Sequence, residues 1–205
     1  MPKRNFCGGL IAGTSSWTHY WEGTLHRNNE NIGTLSSRFL MAMGNYGIGE
    51  NTNIIFSLPY ISNKASAGTL APQQGLQDLN LAVKQYLGGR NWKGNTLGLT
   101  AVGGVSTPLT NYVADFLPLA IGVRSRTLSM RLLGDLQRGR YFATASAAYV
   151  RRASIEIDRT AYYTTEMVYS NQVIMPDVFT WMLRTGYRKD PDHIIEVIAD
   201  RMNTL

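Results

Sequence analysis

The sequence predicts an all-β fold, an antiparallel up-and-down transmembrane β-barrel of about ten strands, on three observations. Segments between turn formers alternate apolar and polar residues with period two, not with a helical period. Charged residues make up 17 % of the chain against roughly 25 % in soluble domains, and Gly, at 20 of 205 residues, exceeds its usual share of roughly 7 %. Although 44 % of the residues are hydrophobic, no apolar run approaches the ~20 residues of a membrane helix. If lipid is the solvent, strands must span it.

The elements follow in chain order. Over residues 35–45 one parity carries Leu35, Ser37, Phe39, Met41 and Met43, and the other, smaller and charged, carries Ser36, Arg38, Leu40, Ala42 and Gly44. After the turn formers Gly49-Glu50-Asn51, residues 53–61 set Ile54, Phe56, Leu58 and Tyr60 on one side, which completes a hairpin. Residues 78–87 oppose Leu79, Leu81, Val83 and Leu87 to Asp78, Asn80, Ala82, Lys84 and Tyr86, and a turn is expected at 88–95. The return run, 96–106, opposes Leu97, Leu99, Ala101 and Val105 to Thr96, Gly98, Thr100, Gly104 and Ser106.

Residues 127–136 oppose Leu128, Met130, Leu132 and Leu136 to Thr127, Ser129, Arg131 and Asp135, with Leu133 the exception. Past a turn at 137–140, Tyr141, Ala143, Ala145, Ala147 and Tyr149 share a face. At ~3.3 Å per residue and a tilt near ~40°, the two tyrosines bracket about 20 Å of height, comparable with the ~25 Å apolar band of a membrane barrel. Phe179, Trp181, Leu183 and Tyr187 then oppose Thr180, Met182, Arg184 and Gly186, and after a turn at 188–192 the residues Ile195, Val197 and Ala199 oppose Glu196 and Asp200. Long polar connections at 17–32, 62–77 and 154–176 contrast with the tight turns, as loops and turns do on the two rims of an outer-membrane barrel. A soluble sandwich shares the hairpin rhythm, so that alternative stays open. The chain is treated as one domain, 1–205, because no linker divides it.

The chemistry of an enzyme is not legible. His19, His26 and His193 lie far apart without a partner motif, and the Gly pairs open no phosphate-binding helix. A lone Cys7 suggests neither a disulfide nor a metal site, and no cofactor is expected. The net charge of +6 is scattered, without the basic stripe of a nucleic-acid surface. Arg38, Asp78, Lys84, Arg131, Asp135, Arg184 and Glu196 fall opposite the apolar parity and are the candidate lumen-lining residues, with mutual pairing weighed above solute contact. Trp17, Tyr20, Trp21, Tyr141, Tyr149, Trp181 and Tyr187 are the candidate membrane-interface aromatics. The expected partners are therefore a lipid bilayer and a small solute, with the oligomeric state open.

Short words of sequence carry a further signal: Ser16-Trp17-Thr18-His19-Tyr20-Trp21-Glu22-Gly23, Met43-Gly44-Asn45-Tyr46-Gly47-Ile48, Ser57-Leu58-Pro59-Tyr60, Gly75-Leu76-Gln77-Asp78-Leu79, the stretch 103–108, and Asp115-Phe116-Leu117-Pro118. In their order and spacing they resemble the family labelled for the meta-pathway of phenol degradation, over most of the chain. That resemblance implies a bacterial outer-membrane barrel that transports small hydrophobic or aromatic solutes, and it supplies no catalytic residue. Two features depart from it: no export signal is visible, and the chain ends Asn203-Thr204-Leu205 instead of on an aromatic-ended strand. They leave open a barrel truncated at one or both ends, and with the lumen either conducting, plugged as a structural or interaction barrel, or, if soluble, an internal ligand cavity.

Overall fold

The structure, a computed structural model, describes residues 1–22 and 24–205, and of Glu22 the backbone only. Its strands are β1 (Phe6–Trp17), β2 (His19–Glu22), β3 (Leu25–Asn28), β4 (Leu35–Gly47), β5 (Thr52–Ala65), β6 (Gln73–Leu76), β7 (Asp78–Trp92), β8 (Asn95–Pro108), β9 (Thr127–Arg138), β10 (Tyr141–Arg152), β11 (Ile155–Glu156), β12 (Tyr162–Tyr163), β13 (Met167–Val168), β14 (Gln172–Val173), β15 (Val178–Asp190) and β16 (His193–Thr204). The described residues contain no helix. One ten-stranded antiparallel sheet runs β1-β4-β5-β7-β8-β9-β10-β15-β16, with β6 paired to β5. Each long strand pairs with the next long strand in sequence, the up-and-down order that alternation and short turns predict.

The sheet is curled into a half-barrel whose edges, β1 and β16, are each paired on one side only among the described residues. One row of cross-strand partners follows Phe6, Tyr46, Ile54, Val83, Gly103, Met130, Tyr149, Phe179 and Asn203. It starts on the first residue of β1 and ends one short of the end of β16, a climb of about ten residues over about eight steps. With ~3.3 Å per residue and ~4.8 Å per step the strands tilt by about 40°, within the roughly 35–45° of closed barrels.

The hairpins turn where the backbone is permitted to. Lys93 and Gly94 both have positive φ, 47° and 78°, as a two-residue type I′ turn requires. Here the sequence reading is corrected: Gly88-Gly89-Arg90-Asn91 is not a turn but the continuation of β7, past a bulge between Tyr86 and Gly88. Two adjacent glycines read as a turn, yet they serve the bulge, where Gly88 takes φ 143°. At one rim the strands are joined at 48–51, 93–94, 139–140 and 191–192, and at the other by 18–34, 66–77, 109–126 and 153–177. The buried apolar residues Leu35, Tyr112, Leu119, Ile121, Ile157 and Val178 gather at this long-loop rim.

Candidate functional site

Partners across a ladder point to the same face, so the register sorts every side chain. Phe56 pairs Leu81, which pairs Val105, which pairs Leu128; Leu132 pairs Ala147, which pairs Trp181. This face is exposed, with Leu128 and Met130 each 60 % accessible. The other face holds Thr100, Ser106 and Ala148, all buried. Side chains crowd on the inside of a curl and splay on its outside, so the apolar face is convex and the polar one concave.

Of the candidate lumen-lining residues, Asp78, Lys84, Arg131, Asp135, Arg184 and Glu196 all lie on the concave parity. Arg38 does not. It pairs Ser62 in the row of β5 that holds Tyr60, Leu58 and Phe56, which places it on the convex parity near the long-loop rim. The error came from reading 35–45 alone: Phe39, Met41 and Met43 look like the apolar outer face, and cross-strand register shows them to be concave. The same register gathers Ile11, Phe39, Met41, Met43, Ile55, Pro59 and Ile61 into an apolar inner wall on β1, β4 and β5. Short strand patterns cannot separate two apolar faces; partners on the next strand can.

Across the curl the inner wall is charged. Arg184 Nε donates to Glu196 Oε2 at 2.8 Å, and Thr144 Oγ1 donates to Asp135 Oδ1 at 2.6 Å. The Phe142 ring lies over Gly186, where a Cβ would come within 2.6 Å of its Cζ. Arg184 and Arg188 each set a guanidinium over that ring, at 5.3 and 5.9 Å from its centroid. Together with Tyr86, Thr96, Gly98 and Gln137 they line a cleft of about 340 Å³ near the short-turn rim. A second, apolar groove of about 410 Å³, around Gly103, Leu81 and Val105, lies on the convex side and carries none of these charges.

At the long-loop rim, segment 109–126 folds onto the concave side. Asn63 Nδ2 donates to the carbonyls of Leu119 and Ala120 at 3.1 and 3.0 Å, and Tyr112 donates to Asp78 Oδ1 at 2.6 Å while accepting from the Arg124 N–H at 2.8 Å. Burial, and then the Asp78 carboxylate, push the Tyr112 phenol well above its ordinary value. Asp115 pairs with Arg159 at 3.1 Å, tying this segment to 153–177. Sequence reading missed the strap because Tyr112, Leu119 and Ile121 follow no period; the one available signal was a gap without alternation punctuated by Pro108, Pro118 and Gly122.

Among the candidate interface aromatics, Tyr141, Tyr149, Trp181 and Tyr187 are convex, and the Tyr141 and Tyr187 rings meet at 5.1 Å. Trp17 is corrected: it pairs Leu35 on the concave parity and packs edge-on against Tyr20 at 6.2 Å. Tyr20 and Trp21 belong to the β2–β3 hairpin outside the main sheet, where Trp21 leans on His26 at 4.9 Å. Gly23, which closes the motif that begins at Ser16, lies outside the described residues. Trp92, missed because β7 was ended too early, is convex at the short-turn rim.

No family model matches the chain, and no curated protein matches it. Among solved structures, an outer membrane channel from Pseudomonas putida F1 is similar with a TM-score of 0.67 and 15 % identity, over 98 % of this chain and 73 % of that one. At this identity the likeness is one of fold: the all-β curled sheet described above is shared with an outer membrane channel.

Proposed function

We propose that this chain forms the wall of a passive channel in the bacterial outer membrane, admitting small hydrophobic or aromatic solutes. The observation that carries the proposal is the sorting of faces. The convex side is a continuous apolar surface from Phe56 to Trp181, suited to lipid, and the concave side sets an apolar wall against a charged one. An apolar strip inside a polar lumen gives an uncharged ring somewhere to desolvate, while the charges keep the path wet. The fold likeness to an outer membrane channel and the family resemblance of the motifs support the same reading. The test is single-channel conductance and solute flux of the refolded full chain in liposomes. Discrete conductance with faster entry of benzyl alcohol than of glucose is expected, and Met41→Asp should slow the alcohol several-fold without loss of conductance. Folded protein that inserts but neither conducts nor passes solute would refute the channel.

A plugged structural barrel is the second reading, and one observation favours it: the docking of 109–126 on the concave side through Asn63 and Asp78. Zero conductance restored by releasing that segment would select it.

A further inference from the structure

The cleft near the short-turn rim holds one cation, Arg188, without an ion-pair partner among the described residues, and one carboxylate, Asp135, bonded to a hydroxyl. On β15 the same-parity residues Arg184, Gly186 and Arg188 stand in a row, and Phe142 of β10 covers the glycine between the two guanidiniums. Arg184 is spent on Glu196, and Asp135 is held by Thr144. Arg188 lines the cleft with no ion pair among the described residues, its guanidinium face on a ring and its donors free. Tyr86 lies over Gly98, 3.5 Å from where its Cβ would stand, and lines the same cleft, so two aromatic side chains border its space. The volume, about 340 Å³, is at the low end of small-molecule sites, roughly 300–1,000 Å³.

We infer that this cleft is a subsite for an aromatic carboxylate, its carboxylate taken by the Arg188 fork and its ring laid between Phe142 and Tyr86. The inference rests on the channel reading for its physiological sense and names the solute class of that channel's inner end. A planar bidentate anion matches a guanidinium fork, which Lys does not offer. A bare anion such as phosphate would find the fork but waste the rings, and a neutral ring would find the rings but waste the fork.

Calorimetric titration of the detergent-solubilised full chain separates these cases, with sodium benzoate, inorganic phosphate and benzyl alcohol as probes at neutral pH. Saturable benzoate binding, at least about tenfold tighter than either other probe, is expected. Arg188→Gln should weaken it about tenfold or more and Arg188→Lys by less, while Lys189→Gln, which removes the same charge from the next residue, should leave it unchanged. If Arg188→Gln does not fold, Phe142→Ala must show the loss instead. Benzoate bound equally by native protein and Arg188→Gln, or phosphate bound as tightly as benzoate, or no saturable benzoate binding, overturns the subsite. Conductance of the same preparation in planar bilayers is read separately. Binding without conductance keeps the subsite and removes the channel, and conductance without binding does the reverse.

Discussion

Two strand glycines differ sharply in what surrounds them. At Gly186 an added Cβ would meet the Ile195 carbonyl oxygen at 2.5 Å and Phe142 at 2.6 Å, whereas at Gly103, on the convex face, it would meet nothing within 4 Å. Backbone cannot step aside as a side-chain tip can, so Gly186→Ala should destabilise by about 1–3 kcal/mol. Gly103→Ala should change stability by no more than about 0.5 kcal/mol. Denaturant midpoints of the two variants decide this, and equal midpoints would mean that β15 and β16 are not packed as described. The ring over Gly186 and the stacked pair Phe6 and Phe56, 6.4 Å apart over Gly44, use one device: an aromatic side chain covers the backbone that glycine leaves bare. Alternation in the sequence marked the strands that hold these glycines, but not which ring would cover which, since that pairing belongs to register.

Segment 109–126 is held to the sheet by few bonds, each on a named residue. Asn63→Ala removes the amide that donates to both Leu119 and Ala120, and leaving a buried carbonyl unpaired costs roughly 1–3 kcal/mol. Protease cleavage within 109–126 should therefore rise in Asn63→Ala, together with conductance if the segment narrows the mouth. Its alkaline behaviour has a definite sign. Docking raises the Tyr112 pKa above the free phenol, so the docked state holds the proton longer. Docking is at full strength below the unfolded phenol pKa of roughly 10 and weakens as pH rises beyond it. Native protein should show an alkaline rise in cleavage that Tyr112→Phe, with no proton to lose, lacks; the same rise in both would assign the effect elsewhere. In the sequence this element was legible only as a gap, because a strap held by polar bonds and three buried apolar side chains needs no period. The bulge in β7 was hidden for a related reason: Gly88 and Gly89 suit a turn and a bulge alike, and only the pairing of Arg90 with Leu97 distinguishes them.

The half-barrel as a whole presents two solvents' worth of surface. Leu132 and Leu133 are consecutive and face opposite ways, the first paired with Ala147 on the convex side and the second with Ser146 on the concave side. In lipid a Lys at a mid-height outer position costs roughly 2–4 kcal/mol, and one facing a wet lumen costs much less. Leu132→Lys should thus refold poorly into liposomes while Leu133→Lys does so nearly as well as the native chain. Equal penalties would mean that the convex face does not meet lipid. β1 and β16 run in the same direction because seven long strands alternate between them, so pairing them with each other would make a parallel seam in an antiparallel sheet.

Composition and period-two alternation were sufficient for the all-β class, the up-and-down order and most strand positions, because a pleated strand with two different environments must write them into alternate residues. The concave placement of Lys84, Arg131, Asp135, Arg184 and Glu196 was legible for the same reason. Arg38 and Trp17 were not, since β4 and β1 carry apolar residues on both faces and alternation then has no sign. The pairing of Arg184 with Glu196, the convergence of Arg188, Phe142 and Tyr86, and the inward fold of 109–126 join residues far apart in the chain. They depend on register, tilt and curl, which arise between strands and leave no trace within any one of them.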